Sequence, residues 1–110
     1  MATKKITKKI TKKSSSSKPY VIVRATQAGV HAGEMVSEKG QRIELRDARR
    51  IWHWKGAASL SELAVYGAKF PAECKFGAKI TKHIVLDACE IIYCQPAGAQ
   101  MIQGCAEWRA

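Results

Sequence analysis

Acidic residues are scarce in this sequence: 9 stand against 19 basic ones, for a formal net charge of +10. Aromatic residues make up only 7% of the chain. No apolar run approaches the ~20 residues that a membrane-spanning helix needs, so no membrane partner is expected. The basic start is not followed by an apolar stretch, so no secretory signal is read there. Cys74, Cys89, Cys94 and Cys105 form no C-x-x-C pair, and none shares a zinc-ligand spacing with a histidine. Free thiols packed as small hydrophobes are expected instead, with Cys89 and Cys94 in an apolar segment. Without an export signal, a reducing cytosol is the expected compartment.

Catalytic signatures are missing too. There is no G-x-S-x-G elbow, Walker phosphate loop, G-x-G-x-x-G or H-E-x-x-H. His31 and Glu34 suit an acid–base pair in principle, but in a glycine-bounded bend a surface hydrogen-bonding pair is the ordinary reading. His53 and His83 read as surface or edge residues of strands. These absences point to a protein that is not an enzyme and needs no metal or cofactor.

The charge that is present lies mostly at the start. Residues 1–18 carry Lys4, Lys5, Lys8, Lys9, Lys12, Lys13 and Lys18 and no acid. The remainder holds 12 basic and 9 acidic residues, so it is nearly balanced. Thr-Lys-Lys-Ile occurs at 3–6 and again at 7–10, and Ser14–Ser17 follow as a polar linker. Too few apolar groups are available there to offset the entropy of ordering, so 1–18 reads as a disordered tail and 19–110 as one domain.

Within the domain, Tyr20–Ala25 reads as a strand, Gly29 and Gly33 as marks of a bend or bulge, and Ser37–Gly40 as a turn. Arg42–Arg46 alternates as a half-buried strand does, which makes an antiparallel hairpin or meander. Ile43, Leu45, Ile51 and Trp52 recur at a constant offset as Ile84, Leu86, Ile92 and Tyr93. Each copy reads as strand, tight turn, strand, with the turns at Arg46–Arg50 and Asp87–Glu90. Ser59 and Glu62 fit a capping box for a short helix over 60–66, stopped by Gly67. Residues 68–78 read as a loop, Pro96–Gln103 as a second helix, and Glu107–Arg109 as a last edge strand. The expected class is α+β: a small antiparallel sheet with one or two short helices against it.

Arg49-Arg50-Ile51-Trp52-His53-Trp54-Lys55-Gly56 stands apart from the rest. On an extended strand Arg50, Trp52 and Trp54 share one face, and Arg49, Ile51 and His53 the other. Indoles two residues apart beside cations suit a stacked base and a bound phosphate. Core packing is the competing reading, because tryptophan usually supplies core area and arginine covers its edges. Trp52 is expected to be the more buried and Trp54 nearer the rim.

Several runs carry a resemblance: Ala28-Gly29-Val30-His31-Ala32-Gly33-Glu34, Ala48 to Ala57, Ser59 to Ala64, Ala88 to Ile92, and Glu107 to Ala110. In these the domain resembles an uncharacterised family of small proteins from tailed bacteriophages and prophages. The resemblance implies a viral setting in the cytoplasm of an infected bacterium, and no mechanism. The leading expectation is a non-enzymatic accessory or counter-defence protein that sequesters a small anionic, nucleotide-like ligand. A domain this small suggests a homo-oligomer with the site between subunits. Arg49, Arg50, Trp54, Lys55, His31 and Glu34 are the candidate ligand-binding residues. Two alternatives stand beside it: nucleic-acid binding through Lys4, Lys5, Lys8, Lys9, Lys12 and Lys13, and a protein-interaction module against a host factor.

Overall fold

The computed structural model describes residues 18–109, so the reading of the lysine-rich tail lies, apart from Lys18, outside the described residues. Six strands and two α-helices follow. They are β1 (Tyr20–Ala25), β2 (Gly29–Lys39), β3 (Arg42–His53), α1 (Leu60–Tyr66), β4 (Lys75–Phe76), β5 (Ile80–Val85), β6 (Ala88–Tyr93) and α2 (Pro96–Gly104). The class is the expected α+β.

β1, β2 and β3 form an antiparallel meander, and β6 pairs with the free edge of β1. The outer edge of β3 is shared: β5 pairs with its first half and β4 with its last residues. β5 and β6 are joined only by Leu86 and Asp87, yet they lie at opposite ends of the sheet. The sheet therefore curls until its ends meet at that corner. Thr26 N–H donates to Asp87 O there, and Ala88 N–H to Gln41 O.

Curling buries both faces of β1, which explains its nearly unbroken apolar run. Val21 and Val23 pack inside the curl with Met35, Ile43, Leu45 and Val85. Tyr20 and Ile22 pack outside it, under the helices, with Ile51, Leu63, Phe76 and Ile102. Ser59 caps α1 as its sequence foretells: Glu62 N–H donates to its Oγ, and Glu62 returns a carboxylate to Ala58 N–H. The two helices meet at Gly98, where a Cβ would fall 2.0 Å from the Ala64 carbonyl oxygen.

The strands depart from the sequence reading in four places. β2 runs through Lys39, so the turn is only Gly40–Gln41, with Gly40 at φ +61. Arg46–Arg50 is no turn but the middle of a continuous β3, broken only by Asp47 at φ 53. The counterpart turn falls at Leu86–Asp87, with Ala88–Glu90 already in β6, so the internal echo does not mark equivalent structures. Glu107–Arg109 makes a single parallel bridge to Phe76 rather than a strand, because Trp108 N–H finds only Phe76 O to pair with.

Substituting Gly98 by alanine is expected to destabilise the domain by about 1–3 kcal/mol, since backbone on both sides must give way. Thermal melting of the variant beside the parent chain measures this.

Candidate functional site: a cation and indole surface on the curled sheet

Asp47 decides which way the end of β3 faces. Between Glu34 and Ala32, two steps along β2 match three along β3, so β3 carries one extra residue. Below this bulge Ile43 and Leu45 point into the curl; above it Ala48 does. Arg49 and Ile51 are thereby turned to the helix side, and Arg50 and Trp52 to the opposite face.

Arg49, expected at a ligand surface, is buried at 2% exposure. Its Nε donates to Gly77 O at 2.8 Å, Nη1 to Ile102 O and Cys105 O at 2.7 Å, and Nη2 to Phe76 O at 3.3 Å. The cation sits against the C-terminal end of α2, where the carbonyl dipoles favour positive charge. Burial without a carboxylate is tolerated because carbonyl oxygens solvate the fork.

Other nominated residues also have partners. Glu34 pairs with Arg46 at 2.9 Å, not with His31. Lys55 is exposed and pairs with Glu73 at 2.9 Å. Trp54 is half-buried against the helix-side core, whereas Trp52 is 60% exposed, the reverse of the expected order. The reason is local: β3 ends at His53, and beyond it the chain turns onto the helix side. Gly56, at φ +94, allows the close approach of Lys69 there. Cys89 is exposed on the edge strand β6 rather than buried, while Cys74 and Cys105 are buried free thiols. Burial pushes the Cys94 thiol up to about 11, which leaves it unreactive at neutral pH.

Arg50 remains, and it belongs to a group that sequence reasoning only partly found. Its guanidinium lies 5.6 Å from the Trp52 ring centre. Trp52 meets Trp108 edge-on, with ring centres 6.5 Å apart and planes at 61°. Lys75 Nζ stands 5.1 Å over Trp108. Cation, indole, indole and cation thus run in order, with Trp108 38% exposed. Among the described residues neither Arg50 nor Lys75 forms an ion pair, unlike Arg24 with Glu90 or Arg46 with Glu34. The two indoles form an open corner, able to stack a flat group on one ring and touch its edge with the other.

Behind Arg50 lies His31, its partner across the β2–β3 ladder. His31 is fully buried, and its ring centre is 4.5 Å from that of His83. Nε2 lies 2.9 Å from Ala28 O, and Nδ1 has no partner. Burial, then His83 and Arg50, pull the His31 pKa down from 6.5 to about 4. His83 is lowered in the same way, by burial and then Arg50.

An open depression of about 690 Å³ lies elsewhere, between Thr26–Ala28, Gln41 and Ile84–Asp87. Two of its polar side chains are already engaged: Asp87 Oδ2 accepts from Gln27 N–H at 2.6 Å, and Gln41 Nε2 donates to Ala88 O at 3.2 Å. Among the described residues no three His, Cys, Asp or Glu side chains gather as metal ligands, and no helix is long and apolar enough to cross a membrane.

A small curled-sheet α+β domain with a surface of paired cations and indoles is what the geometry defines. The chain belongs to the family described as a domain of unknown function, DUF6948, whose model matches residues 18–102. The match takes in Arg50, Trp52 and Lys75 and stops short of Trp108. No curated protein and no solved structure matches the chain.

Arg49→Met is expected to cost about 3–5 kcal/mol, because it strands buried carbonyls of α2 and of the Phe76–Gly77 segment. Arg49→Lys should restore little of this, having no fork; denaturant melts of both variants decide. The histidines predict an acid dependence. The folded chain resists protonating His31 and the unfolded chain does not, so the stability His31 confers is full above pH 6.5 and is lost as pH falls towards 4. His83 acts in the same direction. The melting midpoint should drop through that window, and less so in His31→Gln if that variant folds.

Proposed function

We propose that this chain is a non-enzymatic binding protein that holds a flat, anionic, nucleotide-like ligand on the Arg50, Trp52, Trp108 and Lys75 surface. One observation carries the reading: two exposed indoles flanked by cations that, among the described residues, no carboxylate engages. A base stacks on an indole whatever its identity, and phosphate oxygens meet the guanidinium and ammonium. The surface is open, so a second copy of the chain is part of the proposal, closing over a small ligand. The resemblance to phage proteins supplies the setting: a counter-defence protein in an infected bacterium that sequesters a nucleotide-derived signal.

A second reading has its own support in the net charge of +10, most of it in residues 1–18. There the ligand is a nucleic acid, the lysines meet phosphates, and the indoles receive unpaired bases.

Titration calorimetry with cyclic dinucleotides, ADP-ribose derivatives and a short single-stranded oligonucleotide tests both. Stacking on one aromatic ring contributes about 1–3 kcal/mol, so Trp52→Ala should weaken binding by roughly tenfold or more while the fold is kept. Trp54→Ala should instead lower the melting midpoint. Binding that survives undiminished in a folded Trp52→Ala variant places the function elsewhere. Binding only of the oligonucleotide, lost on removal of residues 1–18, favours the second reading.

A further inference from the structure

Arg50, His83 and His31 are three basic side chains crowded on one face of the sheet. Arg50 stands opposite His31 in the ladder, and the two imidazole centres are 4.5 Å apart. The acid near them is Asp87, which already accepts from Gln27 N–H. Like charges gathered this way repel, and the imidazoles escape by staying neutral. That leaves His31 Nδ1 buried and without a partner, a polar atom for which folding alone supplies no use. The same Arg50 also covers Trp52, so the basic group and the stacking surface share a side chain.

We propose that Arg50, His83 and His31 form a phosphate subsite beside Trp52, which takes the phosphate of a nucleotide whose base stacks on that indole. The inference rests on the stacking reading above and deepens it. Arg50 offers a planar fork suited to two phosphate oxygens. His83, half-buried at the surface, is the second contact. As the dianion arrives it favours the imidazolium, so His83 takes a proton from solvent and donates it as a hydrogen bond. His31 lies behind His83 and holds it in place. With its Nε2 proton on Ala28 O, the free Nδ1 lone pair accepts a proton when the anion offsets Arg50 and His83. Binding of the phosphate is thereby coupled to proton uptake, and binding of a bare nucleoside is not. The charged groups that set this balance are Arg50, His83 and Asp87 around His31, and Arg50 beside His83.

The experiment compares adenosine, 5′-AMP and inorganic pyrophosphate on the full chain, by calorimetry at about pH 6 and about pH 8, on either side of ordinary histidine titration. AMP should bind roughly tenfold tighter than adenosine, the scale of one charge-assisted pair of hydrogen bonds. Its affinity should rise at the lower pH with measurable proton uptake, while that of adenosine stays flat. Arg50→Gln should bring AMP down to the level of adenosine, and His83→Gln should shrink the pH dependence to the part that His31 carries. Lys55→Gln, which deletes a charge away from the subsite, should change neither. Should adenosine fail to bind, the stacking reading falls, and pyrophosphate alone tests the subsite: binding lost in Arg50→Gln supports it. If AMP gains nothing over adenosine and pyrophosphate does not bind, or if the pH dependence is undiminished in His83→Gln, the proposal is overturned.

Discussion

A single buried guanidinium ties this fold together. Arg49 leaves β3 on its helix side and reaches the last turn of α2, the residue after it, and the Phe76–Gly77 segment. These pieces are distant in sequence, and Phe76, Ile102 and Cys105 pack in one apolar cluster with Ile51 beside the guanidinium. β4 is only two residues long, too short to hold its place by ladder bonds alone. Carbonyls from all of these pieces converge on one rigid fork instead. Phe76 O receives both Arg49 and Trp108 N–H, so the network that anchors the helix also places the indole of Trp108.

The extra residue at Asp47 gives this anchor its significance. Without it, strand alternation would continue from Ile43 and Leu45, and Arg49 would point into the curl. An apolar interior could not solvate it there. The bulge shifts the alternation by one, which sends Arg49 to the carbonyls and Arg50 to the open face. A positive φ in a non-glycine residue costs energy, and aspartate is among the side chains that tolerate it best. Two adjacent arginines thus end in opposite roles, one as a structural cation and one as a free one.

Much of the fold was legible because its signals are local. The capping box at Ser59, the stop at Gly67 and the proline opening α2 each depend on a few neighbouring residues. Closure of the sheet was not legible, since nothing in Ile80–Tyr93 says that β5 and β6 leave their corner for opposite edges. For the site, strand alternation correctly grouped Arg50 with Trp52. It failed at Trp54 because the strand ends first, and the choice of Arg49 as a ligand residue failed because its partners are carbonyls, which every sequence has and none displays. Lys75, His83 and Trp108 come from three other segments, and only tertiary structure brings Trp108 and Lys75 to the indole corner and His83 to Arg50.

The distribution of pairing separates surface decoration from a surface with unspent capacity. Arg24, Arg46, Lys55 and Arg109 each meet a carboxylate, although exposed pairs of this kind contribute little to stability. Among the described residues Arg50 and Lys75 have no such pair, and unlike Lys39, Arg42, Lys69, Lys79 and Lys82, which also lack one, each has an indole beside it. These two cations lie against indole faces instead, where the attraction is weak enough to yield to an arriving anion. The neighbouring imidazoles are held neutral by burial and by Arg50 itself, so the face does not accumulate the charge that would unfold it. In the proposed phosphate subsite an anion reverses that balance. It engages the guanidinium, makes protonation favourable, and supplies partners that the folded chain leaves unfilled. A surface that resists charge when empty and accepts it when occupied is suited to binding a phosphate-bearing ligand tightly without requiring the free protein to carry the strain.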